Sequence, residues 1–370
     1  MRPAFATGLL GCAFAAAAAL FDAEQLWVPA IALVLLAAAS AAWVALAARG
    51  VRVRRTLGAT RVVEDDPVEI VLEVQAGTLR LPCSCMRDPL LAEPAALPVG
   101  RRGGKVQITA RFQRRGSREL GLTSVLVSDP LGLATREVRA RLSSQDDEIL
   151  VLPRIEPLRS SASGGDAAHI SHNPRRLVGA EVELDGIRPL RDGTPASRIF
   201  WPAIARGADA QERYLRADGD SSPLVVFDPR GAESIEQLDA AVRAAASIAH
   251  ALARAGGCGV LLPGDRRATE LTQSLTGWPH VHARLALIGP AGGPSLTATA
   301  QRRGPIVFVS ARMRLVLPPA LGPAHGATRV LVVPQAIAQR EVAFTVAGCS
   351  AHILSGARAG ARRRASREPA

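Results

Sequence analysis

The chain has almost no lysine. Lys105 is the single one among 45 basic residues, which stand against 33 acidic ones for a formal charge of +12. The arginines are spread along the sequence instead of clustering, as a GC-rich coding bias produces, and aromatics make up only 4% of residues. Nucleic-acid binding needs one basic face with stacking rings beside it, so nucleic acid is not expected as a partner. Cysteine is sparse too: Cys12, Cys83, Cys85, Cys258 and Cys349, with no Cys-x-x-Cys pair. An odd set without that spacing gives neither a disulfide framework nor a zinc site, and free thiols suit a reducing compartment. Catalytic signatures are missing as well. Gly103-Gly104-Lys105-Val106 lacks the first glycine and the hydroxyl residue of a phosphate-binding loop, and no Gly-x-Ser-x-Gly is present. His169-x-x-His172 has no third ligand nearby, and His280-Val-His282 reads as an exposed or core pair on a strand. No cofactor is expected.

What is present begins with two long uncharged stretches, residues 3–21 and 26–48, separated by Asp22-Ala23-Glu24-Gln25. Each is long enough to cross a hydrocarbon core of ~30 Å as a helix. Arg2 precedes the first, and Arg49, Arg52, Arg54 and Arg55 follow the second. The positive-inside rule places both ends in the cytoplasm and the acidic turn outside. Residues 1–50 are therefore expected to form a two-pass transmembrane hairpin in the inner (cytoplasmic) membrane, with the lipid bilayer as one partner. Gly8, Gly11, Ala15 and Ala18 would let its two backbones approach closely. A cleaved signal peptide is the rival, but the leading charge is one arginine and the turn runs straight into another apolar stretch.

At 370 residues the chain can hold two or three domains. Residues 51–155 read as short strands. Val68-Glu69-Ile70-Val71-Leu72-Glu73-Val74 is rich in β-branched residues, and residues 106–112 alternate apolar with polar. Asp65-Asp66-Pro67, Gly103-Gly104, Arg115-Gly116 and Asp129-Pro130 supply turns, which predicts an all-β sandwich-like domain. Residues 156–180 have no apolar period and read as a linker, followed by a charged segment over 181–222. From 223 to 356 short apolar runs alternate with helical patterns. Ser234-Ile235-Glu236-Gln237 fits a capping box, and Ile235, Leu238, Val242, Ala245, Ala249 and Leu252 make an apolar stripe that Gly256-Gly257 can end. That alternation predicts a mostly parallel sheet covered on both faces. Residues 357–370 form a basic tail without periodicity, expected to be disordered.

The charged segment carries the most information. In it Arg188, Arg191, Arg198, Arg206, Arg213 and Arg216 interleave with Asp185, Asp192, Asp209, Glu212 and Asp218, and Trp201 and Tyr214 sit among them. Such a mixture predicts Ile199 and Trp201 packed on the α/β domain while Arg188, Arg198 and Arg206 hold acidic groups at the surface. Glu183, Gly186, Ile187, Arg188, Gly193, Ile199, Trp201, Ala205 and Arg206 fall in the register of a bacterial signature, with Leu190, Thr194 and Ser197 departing from it. Arg115-Gly116, Ser128-Asp129-Pro130-Leu131-Gly132-Leu133 and Val151-Leu152-Pro153 extend the likeness over most of the chain. The chain resembles the domain of unknown function 58 family.

That resemblance implies an α/β domain like the von Willebrand factor A (Rossmann-like) fold and a partner of the MoxR-type AAA+ ATPase class, in assembly or maintenance of envelope or membrane complexes. It makes Arg188, Gly193, Arg198, Trp201 and Arg206 the candidate partner-binding residues. Many A-type domains bind a divalent ion through Asp-x-Ser-x-Ser at the end of the first strand. Asp228 stands at that place, but Arg230 and Ala232 replace both hydroxyl residues. A degenerate site without metal is expected, with Arg230 paired to Asp228 or to an acidic group on a partner. The expected protein is a non-enzymatic, membrane-anchored interaction protein. The alternatives are a metal-dependent ligand-binding A-type domain and an enzyme with a dispersed site.

Overall fold

The computed structural model describes residues 2–140, 148–160, 184–189, 199–207, 209–215, 222–299, 304–321, 328–338 and 340–355. It divides into two compact units: residues 1–113 with 117–151, and residues 114–116 with 152–370.

The first unit opens with α1 (Arg2–Leu20) and α2 (Trp27–Ala47), both long and apolar enough to cross a membrane. They pack against each other through small residues. A Cβ added at Gly11 would lie 2.9 Å from both Ala30 O and Val34 Cγ2, so only glycine allows this approach. Leu9, Leu10, Ile31 and Leu35 face outward.

Ten strands follow: β1 (Arg52–Leu57), β2 (Arg61–Val63), β3 (Pro67–Gln75), β4 (Cys83–Arg87), β5 (Ala95–Leu97), β6 (Gly103–Arg111), β7 (Gly116–Glu119), β8 (Ser124–Ser128), β9 (Thr135–Arg139) and β10 (Glu148–Leu152). They make sheets ordered β1-β3-β6, β5-β4-β8-β9 and β2-β10-β7. The alternation in β3 buries Val68, Ile70, Leu72 and Val74, which share one core with Met86, Val125, Val127, Ile149 and Val151. Arg55 donates to Asp88 Oδ2 at 2.8 Å inside this unit, and Thr123 Oγ1 donates to the same oxygen at 2.6 Å.

Two turns fit the strands to the helices. After β8, the Asp129 carboxylate accepts from Leu131 N at 3.2 Å and Ala134 N at 2.6 Å, which closes the Asp129-Pro130-Leu131-Gly132 turn. Leu133 O then accepts from Ala4 N of α1 at 2.8 Å. After β3, Gly77 passes the end of α2 so closely that a Cβ there would stand 1.9 Å from Arg49 O.

The second unit contains β11 (Arg159–Ser160), β12 (Leu184–Pro189), α3 (Trp201–Ile204), β13 (Gln211–Leu215), β14 (Leu224–Asp228), α4 (Ile235–Arg254), β15 (Cys258–Leu261), β16 (Thr269–Leu271), α5 (Trp278–Leu287), β17 (Ile306–Ser310), β18 (Arg329–Val333), β19 (Phe344–Val346) and β20 (Cys349–Ser355). Eight strands form one sheet in the order β11-β19-β20-β18-β17-β14-β15-β16. The four inner strands from β18 to β15 run parallel, while the flanking pairings are antiparallel. The expectation of a mostly parallel sheet thus holds only for the centre, because the outer strands β16, β20, β19 and β11 all join it antiparallel. Arg159–Ser160, assigned by sequence to a linker, pairs with Phe344 and Thr345 at the sheet edge.

α4 begins where Ser234 Oγ accepts from Gln237 N at 3.2 Å, and Gln237 Oε1 accepts from Glu233 N. It ends at Gly256 and Gly257, both with positive φ. Its buried stripe of Leu238, Val242, Ala245, Ala249 and Leu252 covers Val225, Phe227, Val307 and Val309, and α5 adds Trp278, Val281 and Leu285 on the same side. Ile235, read as the start of that stripe, is exposed instead. The opposite face, with Leu224, Val226, Ile306, Phe308 and Leu331, packs on Leu317, Leu321 and Ile337. Among the described residues that second face carries no α-helix, so the two helical layers expected from sequence reduce to one.

Arg115 belongs to this unit. Its Nη1 donates to the carbonyls of Leu285, Ala286 and Ile288 at 3.0–3.2 Å, and its Nε lies 3.0 Å from Asp239 Oδ1. A cation on the last carbonyls of α5 offsets the negative end of the helix dipole.

Candidate functional site

The central strand β14 is Leu-Val-Val-Phe-Asp, buried on both faces throughout. Its chain leaves toward β15 through α4 and returns to β17 on the other side, so β14 and β17 flank the point where strand order reverses. In open α/β sheets the crevice outside the carboxyl ends at such a point is where ligands sit. Asp228 and Ser310 are paired in register there, and both are fully buried.

Three arginines converge on this crevice. Arg230 donates from Nε to Asp228 Oδ1 at 2.8 Å and from Nη2 to Oδ2 at 3.1 Å. Arg314 Nη2 donates to the same Oδ2 at 3.2 Å, with its guanidinium 5.7 Å from the centre of the Phe308 ring. Arg312 lies over Gly231, where a Cβ would come 2.8 Å from its Cδ, and its backbone N donates to Ser310 Oγ. Gly293 gives Arg230 its room, since a Cβ there would stand 2.5 Å from Arg230 Cζ.

The two guanidiniums on Asp228 respond differently. Hydrogen bonding to Asp228 and its charge raise the pKa of Arg230. Arg314 is pushed down, first by burial and then by the like charge of Arg312, with Asp228 acting in the opposite sense. Arg230 is half exposed and keeps its hydration, whereas Arg314 is more deeply enclosed and, among the described residues, has one carboxylate contact.

Divalent metal does not fit this donor set. Asp228 offers its oxygens to guanidiniums, and Arg230 and Ala232 supply no hard oxygen where hydroxyls would be needed. Among the described residues no group of three or more His, Cys, Asp or Glu gathers as metal ligands. Asp265 is held by Arg284 at 2.8 and 3.0 Å and by Leu262 N, as part of its own turn.

The signature segment is placed in part. Gly193 and Arg198 lie outside the described residues, as do His169 and His172. β12 pairs with β13, so that Arg188 stands opposite Glu212 in register. Trp201 opens α3 and is 57% exposed, Arg206 is exposed, and Ile199 is half-buried. The expectation that Trp201 packs on the α/β domain is therefore corrected: a four-residue helix turns its ring outward. His280 and His282 lie on α5, not on a strand. Two positions apart on a helix they diverge, leaving His280 exposed and His282 buried with its Nε2 2.8 Å from Pro153 O.

Sequence reasoning missed Ser310, Arg312 and Arg314. Their only signal is a short run, Ser310-Ala311-Arg312-Met313-Arg314, at the end of an apolar strand.

No family model matches the chain, and no curated protein matches it. Among solved structures it is similar to the CARDB domain of a Pyrococcus furiosus protein, determined in complex with di-metal ions. The likeness has 12% identity, covers 27% of this chain and 91% of that one, and has a TM-score of 0.20. At that score it carries neither fold nor metal over to this chain.

Proposed function

We propose that the protein is a two-pass membrane-anchored interaction protein that works by binding and not by catalysis. Its soluble units face the cytoplasm, because arginines flank the outer ends of the α1–α2 hairpin and acids lie in its turn. Its α/β unit is read as von Willebrand factor A-like, on the parallel centre of the sheet and on Asp228 at the end of β14. The observation that carries the binding role is the arginine cluster at the switch point. The carboxylate that would anchor a metal in a metal-dependent A-type domain is instead engaged by Arg230 and Arg314. The resemblance to the domain of unknown function 58 family points to a MoxR-type AAA+ ATPase as the partner. Assembly or maintenance of envelope or membrane complexes is the process it would serve.

Affinity purification of the full chain from cross-linked membranes, followed by mass spectrometry, is expected to recover a MoxR-type ATPase. Recovery of none sinks that partner. A reporter enzyme that works only outside the membrane, fused at the C-terminus, is expected to stay silent, and an active one overturns the cytoplasmic placement.

A further inference from the structure

Charge does not balance at the switch point. Asp228 is one carboxylate among three arginines: its two oxygens already accept from Arg230 and Arg314, and Arg312 acts on Arg314 as a like charge. Among the described residues the exposed Arg312 guanidinium has no protein acceptor and is left to water, while Arg314 Nε is buried without one. A buried donor left unmade is destabilising, and the like charge of Arg312 nearby adds to that cost. The depressed pKa of Arg314, from burial and then from Arg312, is the mark of the same surplus. Glu236, in the first turn of α4, does not relieve it, because its carboxylate is held by its own backbone N–H and Ser234.

Apolar side chains frame this surplus. The loop that carries Arg312 and Arg314 also exposes Leu315 at 61%, Val316 at 66% and Met313 at 37%. Ile235, exposed at the N-terminus of α4, lies at the same edge of the sheet. Exposed aliphatics and Met beside an exposed arginine that has no protein acceptor are the composition of a protein interface, where Arg and Met are enriched. A small anion would satisfy the arginines and leave Leu315 and Val316 in water. A segment with an acidic side chain and apolar neighbours satisfies both.

We infer that the crevice between the ends of β14 and β17 docks an acidic, apolar segment of a partner protein, with Arg312 and Arg314 taking its carboxylate and Met313, Leu315 and Val316 its apolar flank. This deepens the binding role proposed above and rests on it. It does not depend on which protein supplies the segment.

The test places a photoreactive phenylalanine analogue at Leu315 of the full chain in native membranes and sequences the cross-linked peptide. The expected peptide carries Asp or Glu within a few residues of the cross-link, beside apolar residues. Arg312→Glu is expected to cut the yield about tenfold, as for a charge pair at an interface, without changing the melting temperature. Replacing the captured acidic residue by Arg is expected to restore the yield with Arg312→Glu. A cross-link to lipid alone, to a neutral or basic segment, or to nothing overturns the inference. So does a yield that Arg312→Glu leaves unchanged. Capture of an acidic segment from a protein other than an AAA+ ATPase upholds the docking site and sinks the ATPase as partner. Recovery of the ATPase with undiminished yield from Arg312→Glu does the reverse.

Discussion

Arg230 spans both oxygens of Asp228, its Nε 2.8 Å from one and its Nη2 3.1 Å from the other. The carboxylate is fully buried and the guanidinium half exposed, so the pair closes the end of β14 with its cationic side toward solvent. The fork is fixed by neighbours on both sides: the turn at Gly231 sets its direction, and Gly293 leaves space for its head.

Asp228→Ala should destabilise the second unit by about 3 kcal/mol, because Arg314, largely enclosed, loses the carboxylate that pairs it among the described residues. Adding Arg314→Met should recover most of that loss, since removing both partners of an enclosed pair is close to neutral. Denaturant unfolding of the single and double variants checks this. In thermal unfolding, millimolar magnesium or manganese should leave the wild-type melting temperature unchanged. A saturable rise would mean that Asp228 opens to a metal.

Gly77→Ala should destabilise the first unit by about 1–3 kcal/mol, the usual range for overpacking. Its Cβ would meet backbone, Arg49 O at 1.9 Å and the Gly50 carbonyl carbon at 2.7 Å, which cannot swing aside. Gly100→Ala is the comparison: unlike Gly77 it has positive φ, but nothing lies within 4 Å, so its cost is the backbone term of about 1 kcal/mol alone, whereas that of Gly77→Ala is steric. Equal melting temperatures for the two variants would show that the strands do not rest on the end of α2 in this way.

The parts of the fold that depend on local periodicity were legible. The alternation of β3, the fully apolar run of β14 and the capped stripe of α4 follow from neighbouring residues. Asp228 was recognisable because it ends a strand and opens a turn. Arg314 was not, because it reaches Asp228 from 86 positions away, brought by the pairing of β17 with β14. Trp201 misled for the opposite reason: its composition implied burial, while its exposure is set by a short helix beside a two-stranded pair. The His280 and His282 spacing fits a strand, yet Pro279 at the first turn and Val281 with Leu285 on one face favour the helix that forms.

Stability of the second unit should fall as pH drops below about 6.5, the ordinary value for histidine. Burial depresses the pKa of His282 and also that of His250, and both rings pack against Trp278. A depressed histidine binds its proton more readily in the unfolded chain. Its contribution is therefore fully present above the unfolded pKa and is lost as pH falls toward the folded one. His282→Phe should keep the ring stack and flatten the dependence of melting temperature on pH between 7 and ~5. An unchanged slope would place the titrating group elsewhere.

Trp201→Ala should change stability by less than about 1 kcal/mol, as surface substitutions do, because the residue is 57% exposed. The same substitution should weaken recovery of the partner from membranes, since an exposed Trp beside cationic residues is a typical binding hot spot. Arg206→Ala, also exposed, should behave alike and with a smaller effect. The two readouts separate a surface role from a structural one. A melting temperature lowered by several degrees would mean that Trp201 is packed in solution. Unchanged stability with undiminished partner recovery would reduce the segment to a connector and leave the switch-point arginines as the binding surface.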